Sequence, residues 1–160
     1  MEGLTTVLNL LNSNIQLGRL STGCTGLDQL LKGGLEYGKI TELYGEAGVG
    51  KTCFILDLAV RLAAGDCNTV ILETEGKLST PRLKQIIDNF SSDTSTSSSD
   101  SLLDRIWIRK CRSQQELISS IYLLPIFIKN KGNVKAIFVD SIAFLFRYTE
   151  DKEDQFSNPG

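Results

Sequence analysis

The sequence predicts an α/β fold, in which a mainly parallel sheet carries helices on both faces. Short apolar runs alternate with longer segments whose apolar residues recur at helical spacing. A glycine-rich stretch directly follows the first apolar run and leads into a helical segment. The chain has 160 residues, of which 41% are hydrophobic, and this is enough to build one core. Such an alternation is typical of strands joined by right-handed helical crossovers.

Four strands and four helices are predicted along the chain. The strands are the apolar runs at residues 38–44, 69–73, 106–108 and 134–140. The helices, each with an apolar stripe, begin near residues 25, 52, 80 and 113.

Capping residues indicate where two of these helices begin and where one is interrupted. Thr80 is expected to cap the third helix, with Pro81 at its first position. Ser113 and Glu116 have the spacing of a capping box at the start of the fourth helix. Pro125 is expected to kink or end that helix.

The predicted organisation is a lead-in segment at residues 1–20, a partial core at 21–148 and a polar tail at 149–160. Residues 91–101 are all Ser, Thr or Asp. Because a tract of this composition cannot bury itself, a flexible surface insertion is predicted there. After the fourth strand the sequence becomes polar and contains no further strand, so the C-terminal half of the core is expected to be missing.

Composition argues against several classes of function. The formal net charge is −2, whereas a protein that grips nucleic acid unaided normally carries a basic surplus. The sequence contains no histidine, which excludes histidine-based triads and His-ligated zinc. The four cysteines lie far apart without a C-x-x-C pair, so free thiols in a reducing compartment are predicted. Apolar runs are too short for a membrane span, which needs about eighteen residues.

The glycine-rich stretch matches the phosphate-loop pattern G-x-x-x-x-G-K-[ST] in full. Its residues, in order, are Gly45, Glu46, Ala47, Gly48, Val49, Gly50, Lys51 and Thr52. Glycines let successive N–H groups turn toward phosphate oxygens, and the following helix adds its positive dipole end. Lys51 is expected against the β- and γ-phosphates, Thr52 as a ligand of Mg²⁺, and Cys53 either beside the nucleotide or as a small packing residue. The sequence therefore predicts a binding site for ATP with Mg²⁺.

Two acidic positions are candidates to complete this site. Asp140 ends the fourth strand, at the sheet edge where the loop is expected, and can hold Mg²⁺ through water. Hydrolysis also needs a group that activates water, and the residue after Asp140, where many ATPases carry Glu, is Ser141. Glu73 and Glu75 at the end of the second strand are the alternatives. Glu75 is favoured because it lies nearer the turn at the ligand edge, although a solvated turn residue would also fit.

Signatures of other nucleotide-hydrolysing classes are lacking in the sequence. GTPases that select guanine use N-K-x-D, and the nearest stretch, Asn130–Asn133, lacks the Asp. The transporter signature L-S-G-G-Q does not occur. ATP is therefore favoured over GTP.

Together these residues resemble the ATPase core of RecA-type strand-exchange recombinases of eukaryotes and archaea. The resemblance is carried by Ser21–Gly23, Leu27–Gly34, Gly38–Gly45 and Thr74–Gly76. It implies a RecA-like P-loop NTPase core in which Glu75 is the catalytic carboxylate. The residue matching Arg82 lies near the adenine in that family, so Arg82 is expected to contribute to nucleotide binding.

A narrower resemblance concerns the C-type paralogues of the eukaryotic recombinase. It is carried by Arg112, Glu116–Leu117, Tyr122–Phe127 and Asp140–Arg147. It implies an ATP-binding paralogue, and a weak DNA-stimulated ATPase, acting in homologous-recombination repair of DNA double-strand breaks. Other recombinase paralogues are the implied partners, DNA is contacted through their complex, and the nucleus is the implied location, with the cytoplasm as an alternative. The other paralogue types stay open.

The chain also departs from the family pattern. The N-terminal helical domain, the F-x-x-A tether, the second DNA-binding loop and the γ-phosphate sensor have no counterpart in it. Arg147 and Lys152 fall in the remnant of the first DNA-binding loop, where a solvated face explains them as well as DNA contact does. Two further functions therefore stay open: a non-catalytic interaction module that uses nucleotide structurally, and a RecA-like ATPase outside DNA repair.

Overall fold

A computed structural model of the chain describes residues 18–94 and 99–153, with the backbone alone at 92–94 and 148–153. The chain divides into two compact units, Met1–Val49 and Gly50–Gly160, and each is described by itself. Most of the predicted lead-in, the centre of the Ser-rich tract and the end of the polar tail lie outside the described residues. These three assignments therefore stay predictions.

The first unit is organised around the carboxylate of Asp28. Its elements are strand β1 (Arg19–Leu20), helix α1 (Thr25–Leu30) and strand β2 (Leu35–Glu36), and the two strands pair antiparallel. Asp28 accepts hydrogen bonds from the Ser21 hydroxyl (2.6 Å) and from the hydroxyl and backbone N–H of Thr22 (2.7 and 2.8 Å). These donors, the Ser21 hydroxyl most strongly, lower the pKa of Asp28. They also fix the turn that leads into α1.

Residues 38–44 form no strand, and the prediction of a strand there is wrong. The backbone from residue 40 to 46 is irregular, and the side chains of Ile40 and Tyr44 are 102% and 87% exposed. A strand is stable only when its backbone N–H and C=O groups pair with a neighbour. Within the described residues no strand pairs with this segment, so its apolar pattern alone does not produce β structure.

The second unit is a parallel sheet with helical crossovers, as predicted. Its elements are α2 (Lys51–Ala64), β3 (Asn68–Glu73), α3 (Thr80–Thr94), α4 (Ser99–Leu103), β4 (Ile106–Lys110), α5 (Gln114–Lys131), β5 (Val134–Asp140) and α6 (Ile142–Glu153). The strand order is β4-β3-β5, and both pairings are parallel, so β3 is the central strand. In the described ranges, no helix is both long and apolar enough to cross a membrane.

Apolar clusters cover both faces of this sheet. Alternate residues of β3 point to opposite sides. Ile71 joins a cluster with α2 and α3, whereas Val70 and Leu72 join one with α5 and α6. The first cluster contains Leu56, Ala59, Val60, Ala63, Ile71, Leu83, Ile87, Leu102 and Ile106. The predicted α/β architecture with helices on both faces is thus confirmed.

Of the two predicted helix caps, one is confirmed and the other lies one residue earlier than predicted. The Glu116 N–H donates to the Ser113 hydroxyl over 3.2 Å, which confirms the capping box at the start of α5. The third predicted helix includes Thr80, and the cap lies one residue earlier. There, the hydroxyl oxygen of Ser79 accepts a hydrogen bond from the Arg82 N–H over 3.3 Å.

Pro125 and the two ends of the Ser-rich tract lie in helices. The alternative that Pro125 ends the helix is wrong, because α5 continues through it to Lys131. The alternative that it kinks the helix stays a prediction. The missing N–H of proline removes one helical hydrogen bond, but Leu124 and Phe127 on either side pack against the sheet. At the two ends of the Ser-rich tract, α3 extends to Thr94 and α4 begins at Ser99.

Candidate functional site

The boundary between the two units along the chain falls inside the predicted phosphate loop. Gly45–Val49 close the first unit, and Gly50 opens the second. Gly48 has a φ of +81° and Gly50 a φ of +102°, a region that side-chain-bearing residues rarely adopt. Gly50 directly precedes Lys51, the first residue of the 14-residue helix α2. The two glycines therefore have the positive φ angles that the motif requires.

Cys53 lies in the first turn of α2, and its side chain is exposed. The alternative that it serves as a small packing residue is therefore wrong. Its inclusion among the nucleotide-binding residues stays a prediction.

The two predicted magnesium ligands are in direct contact. The Thr52 hydroxyl donates a hydrogen bond of 2.7 Å to Oδ2 of Asp140, although the residues are 88 positions apart. Thr52 lies in the first turn of α2, and Asp140 is the last residue of β5. This contact places the start of α2 at the carboxyl edge of the parallel sheet. A hydroxyl and a carboxylate oxygen are hard ligands of the kind Mg²⁺ prefers, so the residues present fit that ion.

A short set of hydrogen bonds ties the ends of β3 and β5 together at this edge. The Thr74 N–H donates to the Asp140 carbonyl over 2.9 Å. The Thr74 hydroxyl donates to the Ser141 carbonyl (2.7 Å) and accepts from the Ser141 N–H (2.9 Å). Since Thr74 is buried, these bonds fix the residues that follow each strand relative to one another.

Glu75 is held on both carboxylate oxygens. The Ser141 hydroxyl donates to Oε1 over 2.8 Å, and the Lys77 ammonium donates to Oε2 over 2.9 Å. The hydrogen bond from Lys77, followed by that from Ser141, lowers the pKa of Glu75, and the charge of Lys51 adds to the shift. Glu75 is therefore an ionised carboxylate at neutral pH, within the electrostatic influence of the phosphate-loop lysine.

The two glutamates that the sequence left as alternatives have different surroundings. Glu73 is buried, and its Oε1 accepts a hydrogen bond of 2.9 Å from the Lys77 N–H. It thus closes the turn after β3. Glu75 is partly exposed and lies beside Ser141, which follows the predicted metal ligand. Of the two, Glu75 is the one positioned to act on a ligand at this edge.

Three residues of the site were not predicted from the sequence: Thr74, Lys77 and Ser141. Thr74 appeared only as part of a turn, and Ser141 only as the residue that stands where other ATPases have Glu. Their roles depend on hydrogen bonds between residues 67 positions apart, and no local pattern encodes such bonds. For the contact between Lys77 and Glu75, the only local signal was that Lys77 lies two residues after Glu75, with a glycine between them.

The remaining predicted residues are not linked to this cluster. Arg82 lies in the exposed first turn of α3, where its guanidinium donates to the Gln85 side chain over 3.2 Å. Within the described part of the chain, no hydrogen bond or ion pair joins Arg82 to Asp140 or Glu75. Arg147 is exposed on α6, and the side chain of Lys152 lies outside the described residues. The roles predicted for all three stay predictions.

Comparison with known proteins gives consistent matches. The Rad51 family model matches residues 14–153. The DNA repair protein RAD51 homolog 3 of Cricetulus griseus is 30% identical over 91% of this chain and 46% of its own length. The DNA repair and recombination protein RadA of Aeropyrum pernix is 33% identical over 89% of this chain and 44% of its own. The DNA repair and recombination protein RadB of Methanococcoides burtonii is 33% identical over 85% of this chain and 56% of its own length. The chain spans about half the length of these curated relatives.

Proposed function

The chain belongs to the Rad51 family, and on that basis we propose that it is an ATP-binding paralogue of the strand-exchange recombinase. Its relatives carry names that state DNA repair and recombination. The similarity to RAD51 homolog 3 from two organisms agrees with the narrower resemblance seen in the sequence. The role proposed is in homologous-recombination repair of DNA double-strand breaks, in the nucleus.

The observation that carries the proposal is the contact between Thr52 and Asp140 at the start of the phosphate-loop helix. In the proposed site, Thr52 and Asp140 hold Mg²⁺, directly or through water, and Lys51 binds the β- and γ-phosphates. The backbone N–H groups at the start of α2 add a favourable field for the anion. Bound Mg-ATP supplies the phosphoryl group that is transferred to water.

Glu75 is the residue proposed to act on that water. Its carboxylate is ionised at neutral pH and is fixed by Ser141, so it can orient a water molecule and accept a proton on a carboxylate oxygen. Removal of a positioned acid–base group typically lowers a rate by about 10²–10⁴-fold. The proposed activity is a weak Mg-dependent ATPase that DNA stimulates.

A second observation supports association with other proteins. Helix α5 packs Leu117 and Leu124 toward the sheet, yet other large apolar side chains of the same helix are exposed. These are Ile118, Ile121, Tyr122, Leu123 and Ile126. Apolar patches of this kind mark interaction surfaces. Other recombinase paralogues are the proposed partners, with DNA contacted through their complex.

The same surface favours a second candidate function, a non-catalytic interaction module in which nucleotide is a structural ligand. ATP turnover with and without DNA separates the two functions, using Glu75→Gln and the matched control Asp104→Asn. Asp104 is an exposed carboxylate of the same unit, outside the site. DNA-stimulated hydrolysis that is lost in Glu75→Gln and kept in Asp104→Asn supports the ATPase. Binding of Mg-ATP without turnover, or with background turnover that neither DNA nor Glu75→Gln changes, supports the module.

A further inference from the structure

We propose that Lys77 is a positioning residue that restrains hydrolysis, because its ammonium caps one oxygen of Glu75. This inference rests on the proposed function, in which Glu75 activates water. It assigns a regulatory role to a residue of the turn after β3.

The two contacts of the Glu75 carboxylate differ in how firmly they are held. The Ser141 contact to Oε1 is anchored, because Thr74 bonds both the N–H and the carbonyl of Ser141. The Lys77 contact to Oε2 comes from a side chain that is 76% exposed. The Ser141 contact is therefore held through the backbone, whereas the Lys77 contact is made by a largely exposed side chain.

The turn geometry brings Lys77 back to Glu75. Gly76, between them, has a φ of +70° and lies in a bend of the chain. The Lys77 N–H is bonded to the buried Glu73 carboxylate, so the backbone of Lys77 is fixed. The turn therefore brings the Lys77 side chain within hydrogen-bond distance of Glu75.

The Lys77 contact opposes the proposed role of Glu75 in two ways. A carboxylate oxygen that already accepts from an ammonium has fewer free lone-pair positions for a water molecule. The positive charge also stabilises the ionised form, so Glu75 takes a proton less readily, and the Lys77 hydrogen bond is the largest cause of its lowered pKa. Both effects slow proton acceptance from water while leaving the carboxylate in place.

The restraint is partial, because exposed ion pairs are weak. Such pairs contribute little free energy, and the lysine charge lies at the end of a long, flexible side chain. Removal of Lys77 is therefore expected to raise kcat by about two- to fivefold, and not by orders of magnitude. Since Lys77 is not proposed to bind phosphate, the affinity for Mg-ATP should stay the same.

The test compares Lys77→Ala, Lys77→Arg and the control Lys84→Ala, an exposed lysine on α3. For each protein, kcat and the dissociation constant of Mg-ATP are measured, and Glu75 is titrated by NMR of ¹³C-labelled glutamate without nucleotide. Lys77→Ala should raise kcat by about two- to fivefold and raise the pKa of Glu75 toward its ordinary value. Lys77→Arg, which keeps a donor and a charge, should behave like the wild type, as should Lys84→Ala.

An unchanged or lower kcat in Lys77→Ala, with Mg-ATP binding intact, would overturn the inference. So would a Glu75 titration that Lys77→Ala does not move. Failure of the wild type to bind Mg-ATP would instead overturn the proposed function. The nucleotide-free titration would then still decide whether Lys77 holds Glu75.

Discussion

Replacing Thr74 by valine should weaken the second unit where β3 and β5 end. Valine keeps the shape of the side chain but removes the hydroxyl, which exchanges two hydrogen bonds with the Ser141 backbone (2.7 and 2.9 Å). Thr74 is only 5% exposed, so water cannot replace these bonds readily. A hydrogen bond contributes about 0.5–1.5 kcal/mol net, so losing two should lower the free energy of unfolding by about 1–3 kcal/mol.

Thr69 provides a matched control in β3, the strand that Thr74 directly follows. It is 0% exposed, and its hydroxyl has no hydrogen-bond partner among the described residues. A buried hydroxyl without a partner costs about 1–3 kcal/mol, so Thr69→Val should be neutral or stabilising.

Urea unfolding of both variants can be followed by the fluorescence of Trp107, the single tryptophan, which lies in β4 against Phe127. The free energies of unfolding of Thr74→Val and Thr69→Val should differ by at least about 1 kcal/mol. Equal values for the two variants would refute the assignment of the Thr74–Ser141 bonds as stabilising contacts.

Two further substitutions test other parts of the fold. Asp28 has a lowered pKa, so its contribution to the first unit is complete above the ordinary aspartate value and is lost as the pH falls through the folded value. The amide signals of Ser21 and Thr22 in NMR spectra should report that acidic transition in the wild type, and its persistence in Asp28→Asn would contradict the assignment. Pro125→Ala should raise the free energy of unfolding by about 1–3 kcal/mol, because proline inside α5 removes a helical hydrogen bond. A decrease in urea stability would show that the proline is needed by its surroundings.

The positive φ angles of Gly48 and Gly50 and the position of Asp140 at the end of a strand could be predicted because the signals for them are local. The glycine spacing that ends in Gly50, Lys51 and Thr52 is typical of one loop conformation. Asp140 follows an apolar run that is long enough to identify a strand. Parallel strands end at one edge of a sheet, which is why Asp140 could be expected near the loop. The structure places the Thr52 hydroxyl at 2.7 Å from it.

The rest depended on contacts that no local pattern encodes. Residues 38–44 have a strand-like composition, but a strand also needs a paired neighbour, and the described residues supply none. Thr74 and Ser141 are 67 positions apart, so their reciprocal hydrogen bonds follow from the register of β3 with β5 and not from either sequence alone. Lys77 acquires its contact through the turn geometry at Gly76, which the sequence marked only as a turn.

Calorimetry of Mg-ATP binding to the purified chain, with Lys51→Ala and Lys84→Ala alongside, examines the nucleotide site without requiring turnover, DNA or a partner. Lys51 is the phosphate-loop lysine at the start of α2, whereas Lys84 is an exposed lysine on α3. We expect binding in the micromolar range by the wild type and by Lys84→Ala, and its loss in Lys51→Ala. A folded wild-type chain that does not bind Mg-ATP, or binding that Lys51→Ala leaves intact, would contradict the assignment of residues 45–52 as a working phosphate loop.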